Sequence, residues 1–553
     1  MTGGLMQLVG KGAQDVLVTG NPSFTHFKSV YKRHSEFAME HFRLYFKTTN
    51  LNLPPSGSLT LMAKVERYAQ LLHDCYLSIT LPDIFSPIVP TINPIAGYEF
   101  QWIQSIGYNM INYVAVTING QEIVRHTGEW MKLYAATQFS ETKKRVLNEL
   151  TGNVKEVYDP ANAFDRINQY PHSLATSQGP GAPSVAGRVL TIPLHFWFCE
   201  SIGQALPLIA LQHSEVQIIV DLKHVYQLFT VKDTNSTSLT YGQRIAPPAS
   251  LPMSTFLSPP IFPSQLPTNP TLTIWKMNPF LECNYIFVSD AELAHIASTD
   301  HSFIIKQIDV VSAENQHGPS NDIELGLRNL CTRVIWVGQR SDRALLNDLD
   351  NYTNWVNPYL PPLSGSSVSI TPPVWSTTGV VQQPGITTRD VLLESSIIID
   401  GKERFNYKQT EFFNHIQNYR HHDGLSVIDI PGIYSYSFAL EHNNKCQPSG
   451  HINGSQFNKT ILRNTYVQPP LASVFGIVSP SNEVCILKST ANNANPVIVP
   501  LDRVGNYTPD QLVHVIRKTP ATTLAYTYNV RAFVESYNFL RVMGGVANVV
   551  FSS

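Results

Sequence analysis

Residues 434–454 read YSYSFALEHNNKCQPSGHING, and the opening of this stretch decides the architecture. Tyr434, Tyr436, Phe438 and Leu440 alternate with Ser435, Ser437 and Ala439. That period of two puts large side chains on one face of a strand and small ones on the other. The large face belongs in a core, where burying each such side chain stabilises by roughly 1.5–3 kcal/mol. A slip of one residue would expose the whole set. The small face lets another backbone come close. After Glu441, the turn formers Pro448 and Gly450 cannot continue a strand, so the chain loops out.

The same grammar recurs along the chain. Val114, Val116 and Ile118 alternate with polar or small residues and run into Asn119-Gly120, the dipeptide best suited to the positive φ angles of a type I′ hairpin. Residues 76–82, YLSITLP, end on a proline that stops pairing, and RVLTIPLHFWF and LPLIALQHSEVQIIVDL are dense in β-branched and aromatic residues. Residues 127–150 read as helical, with Ser140 able to cap, Val146, Leu147 and Leu150 on a shared face and Gly152 as the stop. Strands separated by turns at this frequency indicate an all-β sandwich or barrel with short inserted helices.

A second hairpin echoes the first. Asp400-Gly401, followed by Lys402-Glu403 and then Phe412-Phe413, stands 281 residues after Asn119-Gly120, which is followed by Gln121-Glu122 and then Trp130-Met131. Two copies of one hairpin about half a chain apart point to a duplicated domain. Eight prolines fall within residues 247–270, a density that favours stiff extended chain. Phe256, Leu257, Ile261, Phe262 and Leu266 nevertheless give that segment something to pack with. Residues 225–277 are therefore read as an ordered connection between residues 26–224 and 278–553, with residues 1–25 as a glycine-rich arm. Two long excursions, 341–388 and 467–524, interrupt the second unit; loops beyond about 12–15 residues are uncommon unless functional or disordered.

Charged residues make up 14% of the 553 residues, and the formal net charge is -2. Ordinary soluble proteins carry about 25% charged residues, so much of this surface is expected to be covered by partners, although glycans or uncharged polar surface would fit too. No global basic field exists to attract nucleic acid. Six scattered cysteines lack any short paired spacing and read as reduced thiols rather than a disulfide framework or zinc site. The N-terminus has no secretory or myristoylation pattern, and no stretch approaches the ~20 apolar residues of a membrane span. Folding in cytoplasm is the expectation.

The string YSFAL followed by QPSG resembles the signature of the major capsid proteins of nucleocytoplasmic large DNA viruses, the phycodnavirus, mimivirus, iridovirus and marseillevirus group. GGLMQLVGKGAQDVLVTGNPSFTHFKSVYKRH from Gly3, IGYNMINYVAVTINGQEIVRHTGEWM from Ile106 and LHFWFCESIGQALPLIALQHSEVQIIV from Leu194 carry the same resemblance. Departures occur where an NFSRID-like string usually follows QPSG, at the long insertion 467–524, and in the apolar tail with Val546, Val549, Val550 and Phe551.

The resemblance implies two consecutive eight-stranded antiparallel jelly-roll sandwiches with long surface loops. It further implies a homotrimeric, pseudo-hexagonal capsomer in a large icosahedral shell, assembled in host cytoplasm. Expected partners are neighbouring capsomers, minor capsid and penton proteins and the inner viral membrane, without direct nucleic-acid contact. The long loops would form the outer face and the arm would face inward; Lys28, Lys32, Arg33 and His34, just beyond the arm, would then point a modest basic patch inward, or else form a solvated charge run flanking the first strand. A carbohydrate-binding or carbohydrate-cleaving double sandwich, or a minor capsid or penton component, is the alternative.

No chemical constellation competes with a structural role, and no catalytic residue, cofactor or metal is expected. His421 and His422 beside Asp423 are adjacent residues that point to opposite faces of an extended segment, a poor arrangement for one ion. Cys199 next to Glu200, four residues after His195, matches no nucleophile spacing. Of the five N-x-S/T sequons, those in long loops, Asn235, Asn351 and Asn506, are the candidate sugar sites.

Overall fold

The computed structural model describes residues 3–551 except 30, 49–50, 87, 90–95, 98, 167–168, 174–180, 233–243, 261–271, 273, 344–345, 356–357, 359–388, 425–429, 443–446, 468–483, 488–496, 501–511 and 517–525. Eight strands build the first sandwich: β1 Phe37–Tyr45, β2 Ser58–Lys64, β3 Leu71–Leu81, β4 Ile111–Ile118, β5 Gln121–Thr127, β6 Arg188–Pro193, β7 Val216–Lys223 and β8 Phe280–Val288. They pair antiparallel in the order β1-β8-β3-β6 in one sheet and β2-β7-β4-β5 in the other. Along β7 the side chains of Val216, Ile218, Val220 and Leu222 alternate into the interior, the pattern that fixes which face is buried.

The second half lays down the same order. Its strands are β9 His301–Gln316, β10 Asn321–Glu324, β11 Leu330–Arg340, β12 Leu392–Ile399, β13 Lys402–Glu403, β14 Ile433–Ser437, β15 Thr460–Tyr466 and β16 Tyr528–Met543. They form the sheets β9-β16-β11-β14 and β10-β15-β12-β13. Strand for strand, this is the topology of the first half, a jelly roll repeated. A further strand, β17 Val546–Val549, folds back on β16, so the apolar tail completes a hairpin and buries Ala547.

The two hairpins expected to echo one another are equivalent in three dimensions. Asn119 and Gly120 have φ of 52° and 79°, and Asp400 and Gly401 have 46° and 78°, the left-handed pair of a type I′ turn. Each turn is tied to the chain just ahead of a paired strand. The Asn119 Oδ1 accepts from the Glu215 N–H at 2.9 Å, ahead of β7. The Asp400 Oδ1 accepts from the Asn458 and Lys459 N–H groups at 3.0 and 2.9 Å, ahead of β15.

Several expectations are corrected. β8 was expected to open the second unit, yet it lies between β1 and β3 and closes the first sandwich. The described residues of 225–277 therefore belong to the first jelly roll, packed through Phe256, Leu257, Trp275 and Met277; Ile261, Phe262 and Leu266 lie outside the described residues. The helical stretch 127–150 consists of α1 Gly128–Gln138 and α2 Glu141–Thr151, separated by extended Phe139 and Ser140, with Gly152 ending the second. Thr127, not Ser140, caps with its side chain, accepting from the Trp130 N–H. On α2 only Leu147 of the expected apolar face is buried, and Val146 is exposed.

In β14 the large face is in the core through Tyr434, with Tyr436 and Phe438 packed at its margin, but the strand ends at Ser437 and Leu440 is 73% exposed. The small face is covered as well. A helical segment, Phe412–Ile416 continuing as Gln417–His421, runs alongside, and Ser435 Oγ donates to Asn418 Oδ1 at 3.0 Å. Within the expected excursion 467–524, Val484–Leu487 pairs with both Val497–Pro500 and Leu512–Ile516 in a small antiparallel sheet.

Candidate functional site: the seam between the sandwiches

The sheet β9-β16-β11-β14 is apolar on both faces. Val334, Trp336, Tyr434, Ala532 and Val534 fill the second sandwich's own core, whereas Ile335, Val337, Ile433 and Phe533 belong to the cluster continuous with the first half. Two sandwiches thus share one apolar wall, along which β5 of the first half lies beside β9, while α1 reaches it through Thr137 toward Arg333 and Glu129 toward Arg531. α1 is seated closely on the first half because Gly128 lacks a side chain: a Cβ would come 2.2 Å from the Tyr108 carbonyl oxygen and 2.4 Å from that of Ile111. Its other residues are buried nearly all round, including Lys132 and Thr137.

Charges inserted into this wall are paired. Lys306 on β9 reaches Glu200 of the first half at 3.1 Å, and the Tyr134 hydroxyl donates to the same carboxylate at 2.9 Å. Arg333 on β11 makes two bonds to Glu535 on β16, at 3.0 and 2.8 Å, and points its remaining nitrogen at Thr137 of α1. Lys132 pairs with Asp350, which also accepts from Asn109 at 2.6 Å. Glu129 accepts from Tyr352 at 2.7 Å and from Arg531 at 2.8 Å. At the far end, the Gly545 carbonyl in the β16-β17 turn accepts from the His213 N–H at 3.1 Å.

Burial and pairing set the protonation states. Burial raises the Glu535 carboxyl, but Arg333 and Lys306 beside it outweigh that and hold it below its ordinary range. Burial works to lower Lys306, and Glu200 overcomes it, so the ammonium is retained. For the histidines burial prevails, even where Glu535 lies close enough to His126 and His422 to oppose it. Desolvation brings His126 down to about 3 and His442 to about 2, the latter with Arg333 and Lys306 adding to the effect. His422, whose Nδ1 lies 3.4 Å from Arg333, is likewise lowered well below its usual value by burial first and Arg333 second. These imidazoles are neutral at neutral pH. His421, its neighbour in sequence, ends the helical segment with Nδ1 at the Leu440 carbonyl, whereas His422 turns toward Arg333.

Of the candidate sugar sites, Asn235 and Asn506 lie outside the described residues. Asn351 is corrected: it is 1% exposed, and its Nδ2 donates to the Trp355 carbonyl at 2.9 Å, so the folded chain has no room for a glycan there. Residues 346–355, expected to begin an outward loop, instead enter the seam through Asn347, Asp350 and Tyr352; Asn347 Nδ2 donates to the Tyr226 and Phe229 carbonyls at 2.7 and 2.9 Å. Sequence reasoning missed the seam. Its signal was a lone charge inside an apolar strand, as in FIIKQI, CTRVIWVG and AFVESY. Among the described residues no group of His, Cys, Asp and Glu is arranged to hold a metal.

Two sandwiches of identical strand order, fused along one sheet, define a double jelly-roll protein of the capsid type. Solved structures agree: the VP54 capsid protein of PBCV-1 superposes with a TM-score of 0.59 at 18% identity, covering 96% of this chain and 100% of that one. The Faustovirus major capsid protein gives 0.56 at 13% identity, covering 98% and 96%. The family model for the major capsid protein N-terminus matches residues 25–259, and that for the large eukaryotic DNA virus major capsid protein matches residues 292–485. The major capsid protein of Phaeocystis pouchetii virus is 28% identical over 84% of this chain and 92% of its own length. That of Paramecium bursaria Chlorella virus 1 is 25% identical over the full length of both. The chain belongs to the major capsid proteins of large eukaryotic DNA viruses. This supports the capsid reading over the carbohydrate alternative.

Proposed function

We propose that three copies of this chain associate into a capsomer whose six sandwiches approximate a hexagon, and that such capsomers tile an icosahedral shell. The observation that carries the reading is the identical strand order of two sandwiches held in one orientation by a shared, ion-paired seam. A three-fold oligomer of a duplicated unit presents six similar flanks, which suits a lattice of six neighbours. Work of this kind is done by shape and contact area rather than by a reactive group.

The low charge of the chain fits extensive coverage by neighbouring capsomers and by minor capsid and penton proteins. The arm residues, exposed along almost their whole length with Leu17 and Phe24 outward, would meet partners on the inner side, facing the viral membrane, with no direct role for nucleic acid. Assembly would take place in host cytoplasm. Light scattering of the purified chain combined with negative-stain imaging tests the central point: the expected result is a mass of three chains and a hexagonal outline. A monomer at every concentration, or a trimer with only three lobes, would overturn it.

A further inference from the structure

Three cysteines far apart in sequence converge in the first sandwich. Cys75 on β3 and Cys283 on β8 stand directly opposite one another, with Sγ atoms 3.2 Å apart. Cys75 Sγ also lies 3.6 Å from the His73 carbonyl oxygen and has Cys199 within hydrogen-bonding reach. Cys75 and Cys283 are buried, whereas Cys199 is partly exposed. A cavity of about 180 Å³, bounded by Tyr134, Leu147 and Glu200, has both Cys75 and Cys199 in its wall. Cys331 lies apart, in the core of the second sandwich.

We propose that Cys199, Cys75 and Cys283 form a thiol relay through which a small-molecule disulfide oxidises the chain and leaves a covalent bond between Cys75 and Cys283. The Cys199 thiolate attacks one sulfur of the small disulfide, forming a mixed disulfide and expelling one thiolate, which takes up the proton Cys199 lost. Cys75 gives up its proton and attacks Cys199 Sγ, releasing the second small thiol. Cys283 then attacks Cys75 Sγ and returns Cys199 to the thiol. Overall, two protein thiols lose two electrons and two protons, and one small disulfide becomes two thiols. The buried Cys75 thiol is pushed up by desolvation, so the exchange is slow at neutral pH and quickens as pH rises.

The product joins positions 208 residues apart and staples β8, the last strand to arrive, into its sheet. A chain made in a reducing compartment would stay open to repair until it met oxidising surroundings.

The test incubates the folded full-length protein with oxidised glutathione, alkylates free thiols after unfolding and maps the peptides by mass spectrometry. The expected product carries Cys75 joined to Cys283, about 2 Da lighter than the dithiol, with Cys199 free to alkylate. Cys199→Ser should slow formation roughly tenfold or more by removing the accessible attacking thiol. Cys283→Ala, a small apolar replacement, should instead trap Cys75 bonded to Cys199. Recovery of Cys75 and Cys283 both alkylated, of glutathione retained on Cys199 as the end product, or of an unchanged rate in Cys199→Ser would overturn the proposal.

Discussion

Arg333 and Glu535 meet across adjacent strands with almost no access to water, so removing one partner differs from removing both. Glu535→Gln leaves the guanidinium of Arg333 buried against a neutral amide and strips Lys306 of a nearby negative charge. The expected loss is about 3–5 kcal/mol, read as a lower urea midpoint. Replacing the pair together, Arg333→Met with Glu535→Leu, should recover most of that loss, because the desolvation of both ions disappears with them. Full loss in the double variant would show that packing, not charge, governs the site. None of this pairing was legible in the sequence: Arg333 and Glu535 stand 202 residues apart, and only their isolation within apolar runs marked them. The burial of Asn351 was hidden for a similar reason, since a sequon records a local string and says nothing of whether its side chain faces the other half of the molecule.

At the scale of the element, the hairpin turns were the most legible feature, because Asn-Gly and Asp-Gly specify a backbone geometry locally. What the string could not reveal is that each turn also anchors a distant strand through its first side chain. Asn119→Ala and Asp400→Ala each remove that acceptor and leave an L-residue with a Cβ at positive φ, costing about 1–2 kcal/mol. Asn119→Gly and Asp400→Gly should cost less than the alanine variants, since they relieve the φ restriction while losing the same acceptor. Thermal unfolding of the four variants separates the two contributions, and equal losses for Ala and Gly would assign the whole effect to the hydrogen bonds. Other elements were harder to read. The small face of β14 told correctly that something would come close, yet not that this something is a helical segment. β8 was assigned to the wrong sandwich because pairing partners 208 residues away leave no trace in local alternation.

For the whole molecule, the neutral histidines make the union of the two sandwiches sensitive to acid. His126 and His442 keep folded-state values near 3 and 2, whereas in the unfolded chain each takes up a proton near pH ~6.5. Their contribution is complete above about pH 6.5 and declines by about 1.4 kcal/mol per pH unit for each as pH falls below it, toward the folded-state values. Of the groups facing them, Lys306 and Glu535 keep their charge through the upper part of that window. Chemical denaturation between about pH 7 and pH 5 should show the decline, and His126→Phe, which cannot titrate, should flatten it. An unchanged slope in that variant would remove His126 from the account.

The position of β8 also governs how the protein comes into being. A ribosome delivers β1 and β3 early, but the gap between them stays vacant until residue 288 has emerged, about 200 residues after the end of β3. Throughout that interval the nascent chain displays two unsatisfied strand edges flanking an apolar floor, a form that invites capture by other nascent copies. Chaperone dependence during translation, rather than after release, follows from that topology.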